Sequence, residues 1–109
     1  MSTMTPAVFH VLLALTGGER HGYAIMQDVR EHTDGTLRLG AGTLYGTIDR
    51  LIRDGYVREV DGPAAESSRD ARRRFYRITP DGRRALDEEV VRLERIVKTA
   101  RTIRRAAKA

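Results

Sequence analysis

The sequence predicts a small, mainly α-helical fold with one β-hairpin (α+β), and three observations predict it. Apolar residues recur at helical spacing in four separate segments. Two short alternating segments, residues 56–60 and 73–78, flank a polar loop and read as a hairpin. The order is helix, turn, helix, helix, hairpin, with one long helix last. A chain of 109 residues has the length of one domain with a real but modest core.

The first helix starts at Thr5-Pro6, where Thr caps and Pro suits the first helical position. Val8, Phe9, Val11, Leu12, Leu13 and Leu15 make it apolar nearly all round, so it belongs at the centre of the fold or at a subunit interface. Thr16-Gly17-Gly18 ends it, and His10 reads as a partly buried core or interface histidine. A second helix opens at Arg20, carries Ile25, Met26 and Val29 at helical spacing, and closes at Asp34-Gly35. Residues 36–39 alternate apolar and polar and read as a short strand.

Residues 37–78 are the stretch the rest of the chain serves. Gly40, Gly42 and Gly46 look like a dinucleotide fingerprint, but the third Gly falls one place late and no βαβ unit surrounds it. Leu44, Ile48, Leu51 and Ile52 instead form the apolar face of a third helix. Its opposite face carries Gly42, Gly46, Asp49, Arg50 and Arg53, with Thr43, Tyr45 and Thr47 on the flanks. A face that is small at its start and basic further on suits the major groove of a duplex. Gly46 costs roughly 1 kcal/mol against Ala in a helix, which argues for a reason to keep it. Asp54-Gly55 ends the helix, and the hairpin follows with a basic flank at Arg69, Arg72, Arg73 and Arg74.

Thr79-Pro80 repeats the helix start. Leu86, Val90, Leu93, Val97 and Ala100 then recur at alternating four- and three-residue steps, with Ile96 and Ile103 alongside. Such a stripe exceeds what a small domain needs for its own core and predicts a dimerisation helix. The whole reads as a winged helix-turn-helix DNA-binding domain over residues 1–78, with a C-terminal dimerisation helix over residues 79–109 packed on it.

The net charge of +5 is unevenly spread: residues 1–62 carry −2 and residues 63–109 carry +7. Nearly all of the positive charge is Arg, which bonds phosphate and guanine edges bidentately. There is no Cys, so disulfides and thiolate metal sites are excluded. The longest apolar run, residues 11–15, is far too short for a membrane span, and no basic residue precedes Arg20 as a secretion signal requires. The expected location is cytoplasmic, on the nucleoid when DNA is bound. His10, His21 and His32 show no metal spacing with acids, and no nucleophile–base set can be placed. An enzyme is therefore disfavoured, with no catalytic residue, cofactor or metal expected.

Four blocks resemble the PadR family of bacterial transcriptional regulators: residues 19–25, 39–47, 50–57 and 73–86. Ala41 stands where that family commonly has Pro. The resemblance implies a dimeric winged helix-turn-helix repressor, built mainly on the first and last helices, with recognition helices in successive major grooves of double-stranded DNA. In some relatives a flat small molecule near the dimer interface releases DNA. Here Phe9 has no Trp or Tyr on the last helix to close an aromatic sandwich, which leaves other effectors open.

The residues expected to contact DNA are His21, Tyr23, Thr43, Tyr45, Gly46, Thr47, Arg50, Arg53, Arg72, Arg73 and Arg74. Those expected at the homodimer interface are Phe9, Leu12, Leu86, Val90, Leu93, Ile96, Val97, Ala100 and Ile103. The competing reading is a winged-helix protein-interaction module that docks through its last helix without sequence-specific DNA binding; the basic wing counts against it.

Overall fold

A computed structural model describes residues 4–62 and 74–108. The elements in chain order are α1 (Pro6–Leu15), β1 (Arg20–His21), α2 (Gly22–His32), α3 (Ala41–Arg53), β2 (Val57–Val60), β3 (Phe75–Ile78) and α4 (Pro80–Lys108).

Helix α1 is the central element and packs on α2, α3, α4 and β3. The Thr5 hydroxyl accepts a 3.2 Å hydrogen bond from the Val8 N–H and caps it, with Pro6 following. Val11, Leu12 and Leu15 lose all contact with solvent and place this face of α1 at the centre of the fold. Around them close Ile25 and Val29 of α2, Leu44, Ile48 and Leu51 of α3, then Val57, Tyr76, Ile78 and Leu86.

Two local readings differ from the sequence expectation. Helix α2 starts at Gly22, not Arg20, because Arg20 and His21 pair with Tyr76 and Phe75 as a third, antiparallel strand. The sheet order is therefore β1-β3-β2. Residues 36–39 form no strand. Asp34 and Gly35 both adopt positive φ, the Gly35 N–H returns to the Arg30 carbonyl, and the Thr33 hydroxyl accepts from the Leu37 N–H at 3.1 Å. These bonds turn the chain directly after α2, and residues 36–39 take no part in the pairing of the described sheet.

Helix α3 ends as the Asp54-Gly55 signal implies. Gly55 takes φ +80°, its N–H bonds the Ile52 carbonyl, and the Tyr56 N–H bonds the Leu51 carbonyl. The next helix start is tied to this end. The Thr79 hydroxyl donates to the Gly55 carbonyl at 2.6 Å and accepts from the Gly82 N–H at 3.0 Å. Gly82 has no room for a side chain: a Cβ would stand 2.8 Å from Ile78 Cγ1 and press on the Tyr56 carbonyl. Helix α3, the root of the hairpin and α4 thus meet at one hydrogen-bonded corner.

Helix α4 has 29 residues, so it is about 43 Å long at 1.5 Å per residue. Only Gly82 and Leu86 of it are buried, both in its first two turns.

Candidate nucleic-acid interface

Helix α3 buries Leu44, Ile48 and Leu51 and turns the rest outward. Ile52, expected on the apolar face, lies at its edge and is 37% exposed. Thr43, Tyr45, Gly46, Arg50 and Arg53 are exposed and Thr47 is half-buried. Among the described residues, a Cβ added to Gly42 or Gly46 would meet nothing within 4 Å. Neither glycine makes room for another described part of the chain, so the outward face of α3 is bare backbone over its first two turns.

The two flanks of that face differ. On one, the Tyr45 ring lies over Gly22 at the start of α2, where a Cβ would stand 2.7 Å from Tyr45 Cζ. His21 caps α2 beside it: its Nδ1 accepts from the Ala24 N–H at 3.2 Å, which puts the ring proton on Nε2. The imidazole also stands edge-on to Phe75, centroids 5.5 Å apart. Tyr23, one residue into α2, is 60% exposed and makes no core packing. Beneath lies Tyr76, whose phenol is pushed up by burial and by Glu59 nearby, and which therefore stays neutral.

The opposite flank holds Thr43, Thr47 and Arg50. The Thr47 hydroxyl donates to the Thr43 carbonyl at 2.8 Å, which fixes its rotamer and leaves its lone pairs outward. Arg50 borders a cleft of about 650 Å³ with Met4, Tyr56, Glu88 and Arg92. Five residues of helix separate Arg50 from Tyr45 by about 140°, so Gly46 and Arg53 lie between them.

The wing brings Arg74 to the root of β3, where it meets Glu59 at 3.4 Å, both exposed. Such a pair is weak and yields readily to a phosphate. Arg72 and Arg73 lie outside the described residues, as does the loop carrying Arg69. The sequence reading missed Arg58, which stands opposite Arg77 across the hairpin, both exposed. Arg77 is neutralised by Glu19, while Arg58 has no ion-pair partner among the described residues. Strand alternation was the signal that would have found it.

Two of the expected interface residues are corrected. Leu12 is fully buried in the chain's own core and Leu86 is 5% exposed, so neither has surface to offer a partner. The stripe on α4 begins one step later, at Val90. From there Val90, Ile96, Val97 and Ile103 are exposed, and Val90, Leu93 and Val97 form with Phe9 an apolar groove of about 650 Å³.

A helical core whose second and third helices are joined by the connection over residues 33–40, followed by a strand hairpin closed by a third short strand, defines the winged helix class. Residues 11–88 match the model of the transcriptional regulator PadR-like family. The chain is 38% identical over 93 residues to the transcriptional regulator Rv3488 of Mycobacterium tuberculosis, covering 82% of this chain and 77% of that protein. A PadR family transcription regulator from Clostridium difficile superposes with a TM-score of 0.78 at 22% identity, over 91% of this chain and 98% of the other, a likeness of fold. BpsR of Bordetella bronchiseptica, whose DNA binding is regulated by 6-hydroxynicotinic acid, superposes with a TM-score of 0.65 at 27% identity, over 87% of this chain and 63% of that one. The chain belongs to the PadR-like family of transcriptional regulators, a family of regulators rather than enzymes. No helix among the described residues is long and apolar enough to cross a membrane.

Proposed function

We propose that this chain is a homodimeric, cytoplasmic repressor that reads a near-palindromic operator in double-stranded DNA, with α3 in the major groove and the wing on the flanking backbone. The observation that carries this reading is the bare outward face of α3. Gly42 and Gly46 cost helix stability and pack against nothing among the described residues, which supports a use outside the chain. A duplex approaching that face meets backbone first, then Tyr45 on one side, Arg50 on the other and Arg53 further along.

In this reading Thr43, Tyr45, Thr47 and Arg50 take base edges or the nearest phosphates, with Arg50 on guanine. His21 and Tyr23 reach phosphates from the start of α2. Arg72, Arg73 and Arg74 add salt-sensitive affinity that is blind to sequence. Phe9, Val90, Leu93, Ile96, Val97, Ala100 and Ile103 meet a second copy, which sets two α3 helices about one DNA turn apart, roughly 34 Å. The ligand-regulated relative BpsR supports release by a small-molecule effector.

Selection of bound duplexes from a random pool tests the reading. The expected result is a two-fold-symmetric sequence with half-site centres about 10 bp apart. Enrichment of no sequence, or of a single unrepeated half-site, overturns it.

A further inference from the structure

The outward face of α3 has a centre as well as two flanks. Gly42, Gly46, Asp49 and Arg53 follow one another at steps of four, three and four residues. At about 100° per residue all four point within roughly 60° of one direction. That direction lies opposite Leu44, Ile48 and Leu51, which are buried. A carboxylate therefore stands in the middle of a face otherwise made of bare backbone and arginine. Asp49 is exposed and makes no ion pair or hydrogen bond with the described residues. Arg53, four residues on at a spacing that suits pairing, leaves it open. On the wing side, burial, Glu59, Tyr45 and Asp49 push the Tyr76 phenol up and Arg74 pulls it down, so these groups surround it. Arg74 nonetheless meets Glu59, at 3.4 Å, and not Asp49.

Resting on the reading of α3 as the recognition helix, we infer that Asp49 reads a cytosine in the major groove, a carboxylate oxygen accepting a hydrogen bond from the exocyclic amine of the base. An ionised carboxylate only accepts. On their major-groove edges guanine offers two acceptors, thymine an acceptor and a methyl group, and adenine an acceptor beside its amine. Cytosine alone offers a donor and no acceptor of its own. Any other base leaves the carboxylate desolvated, unpaired and close to phosphates, so Asp49 discriminates by penalty as well as by contact. Gly46 supplies the reach. It precedes Asp49 by three residues on the same stripe, and its open surface lets the helix backbone lie deep in the groove. A side chain as short as Asp meets a base edge only from such a depth, whereas the longer Arg50 reaches in from the flank.

The test compares the native chain with Asp49→Asn and Asp49→Ala. Each selects duplexes from the same randomised pool, and fluorescence anisotropy then measures each on the native-selected duplex and its single-base variants. Asp49 is exposed and unbonded among the described residues, so both variants are expected to fold, which circular dichroism checks. The native chain is expected to require cytosine at one position of each half-site, with other bases there binding roughly tenfold or more weakly. Asp49→Asn is expected to move that one position to adenine, which Asn bonds through both N6 and N7, and to leave every other position unchanged. Asp49→Ala is expected to lose the preference there and to bind the substituted duplexes more tightly than the native chain does. Three chains with the same preference at every position overturn the inference. So does a change in affinity by one common factor on all duplexes, which makes Asp49 a charge acting on phosphates. A native chain that enriches no sequence overturns the reading of α3 itself and this inference with it, and the two failures are thus told apart.

Discussion

Tyr45 of α3 lies over Gly22 of α2, in the space left where any other residue would carry a Cβ; that atom would stand 2.7 Å from the ring carbon bearing the hydroxyl. The contact fixes how the third helix sits on the second, and with it the direction in which the outer face of α3 points. Gly22→Ala is expected to destabilise the fold by about 1–3 kcal/mol, the usual cost of overpacking. Tyr45→Ala in the same chain should relieve most of that loss. Urea unfolding of the two single variants and the double variant closes the cycle; additive losses would mean that the two residues do not press on one another.

Gly46→Ala separates stability from recognition. No described residue lies within 4 Å of the added Cβ, so the helix should gain about 1 kcal/mol. Affinity for a selected operator should fall by about tenfold or more, the scale of one lost base contact. Thermal unfolding and fluorescence anisotropy on one preparation give both numbers. A variant both more stable and equally tight would remove the glycine face from the interface.

Thr79 joins the end of α3 to the start of α4 through one hydroxyl that donates to Gly55 and accepts from Gly82. Thr79→Ala should cost about 1–2 kcal/mol and Thr79→Ser much less, since Ser keeps both bonds. Chemical denaturation of the two variants checks this, and equal losses would point to the Thr methyl instead.

His10 should make the fold less stable in acid. Its Nδ1 is buried without a hydrogen-bond partner among the described residues, and burial, then the charge of His32, hold its pKa below the ordinary 6.5. The folded chain therefore prefers neutral His10, and the unfolded chain binds the proton first. The stability this residue contributes is full above the unfolded value and is lost as pH falls from 6.5 through the lower folded value. His10→Leu should flatten that part of the stability–pH curve. A curve of unchanged slope between native and variant chains would assign the acid sensitivity elsewhere.

Much of this was legible in the sequence because it rests on local signals. Thr5-Pro6 and Thr79-Pro80 start helices, Asp54-Gly55 stops one, and the spacing of Leu44, Ile48 and Leu51 gives the face of α3. What was not legible depends on partners far along the chain. Arg20 and His21 form a strand only because β3, over fifty residues later, offers its edge. His21 caps a helix with a ring nitrogen, outside the Ser, Thr, Asp and Asn set that sequence reading looks for. Gly22 carries no local signal that Tyr45, over twenty residues later, packs over it. Leu86 carries the right spacing for a subunit stripe and Leu12 lies on a helix that is apolar nearly all round, and neither pattern says that the chain's own core has already taken them.

The most direct test is fluorescence anisotropy of the native chain on a selected operator and on its scrambled form, at near-physiological salt. Specific reading through α3 predicts binding about a thousandfold tighter to the operator. Equal binding to both duplexes that salt erases would contradict it and leave the arginines as a charged surface only.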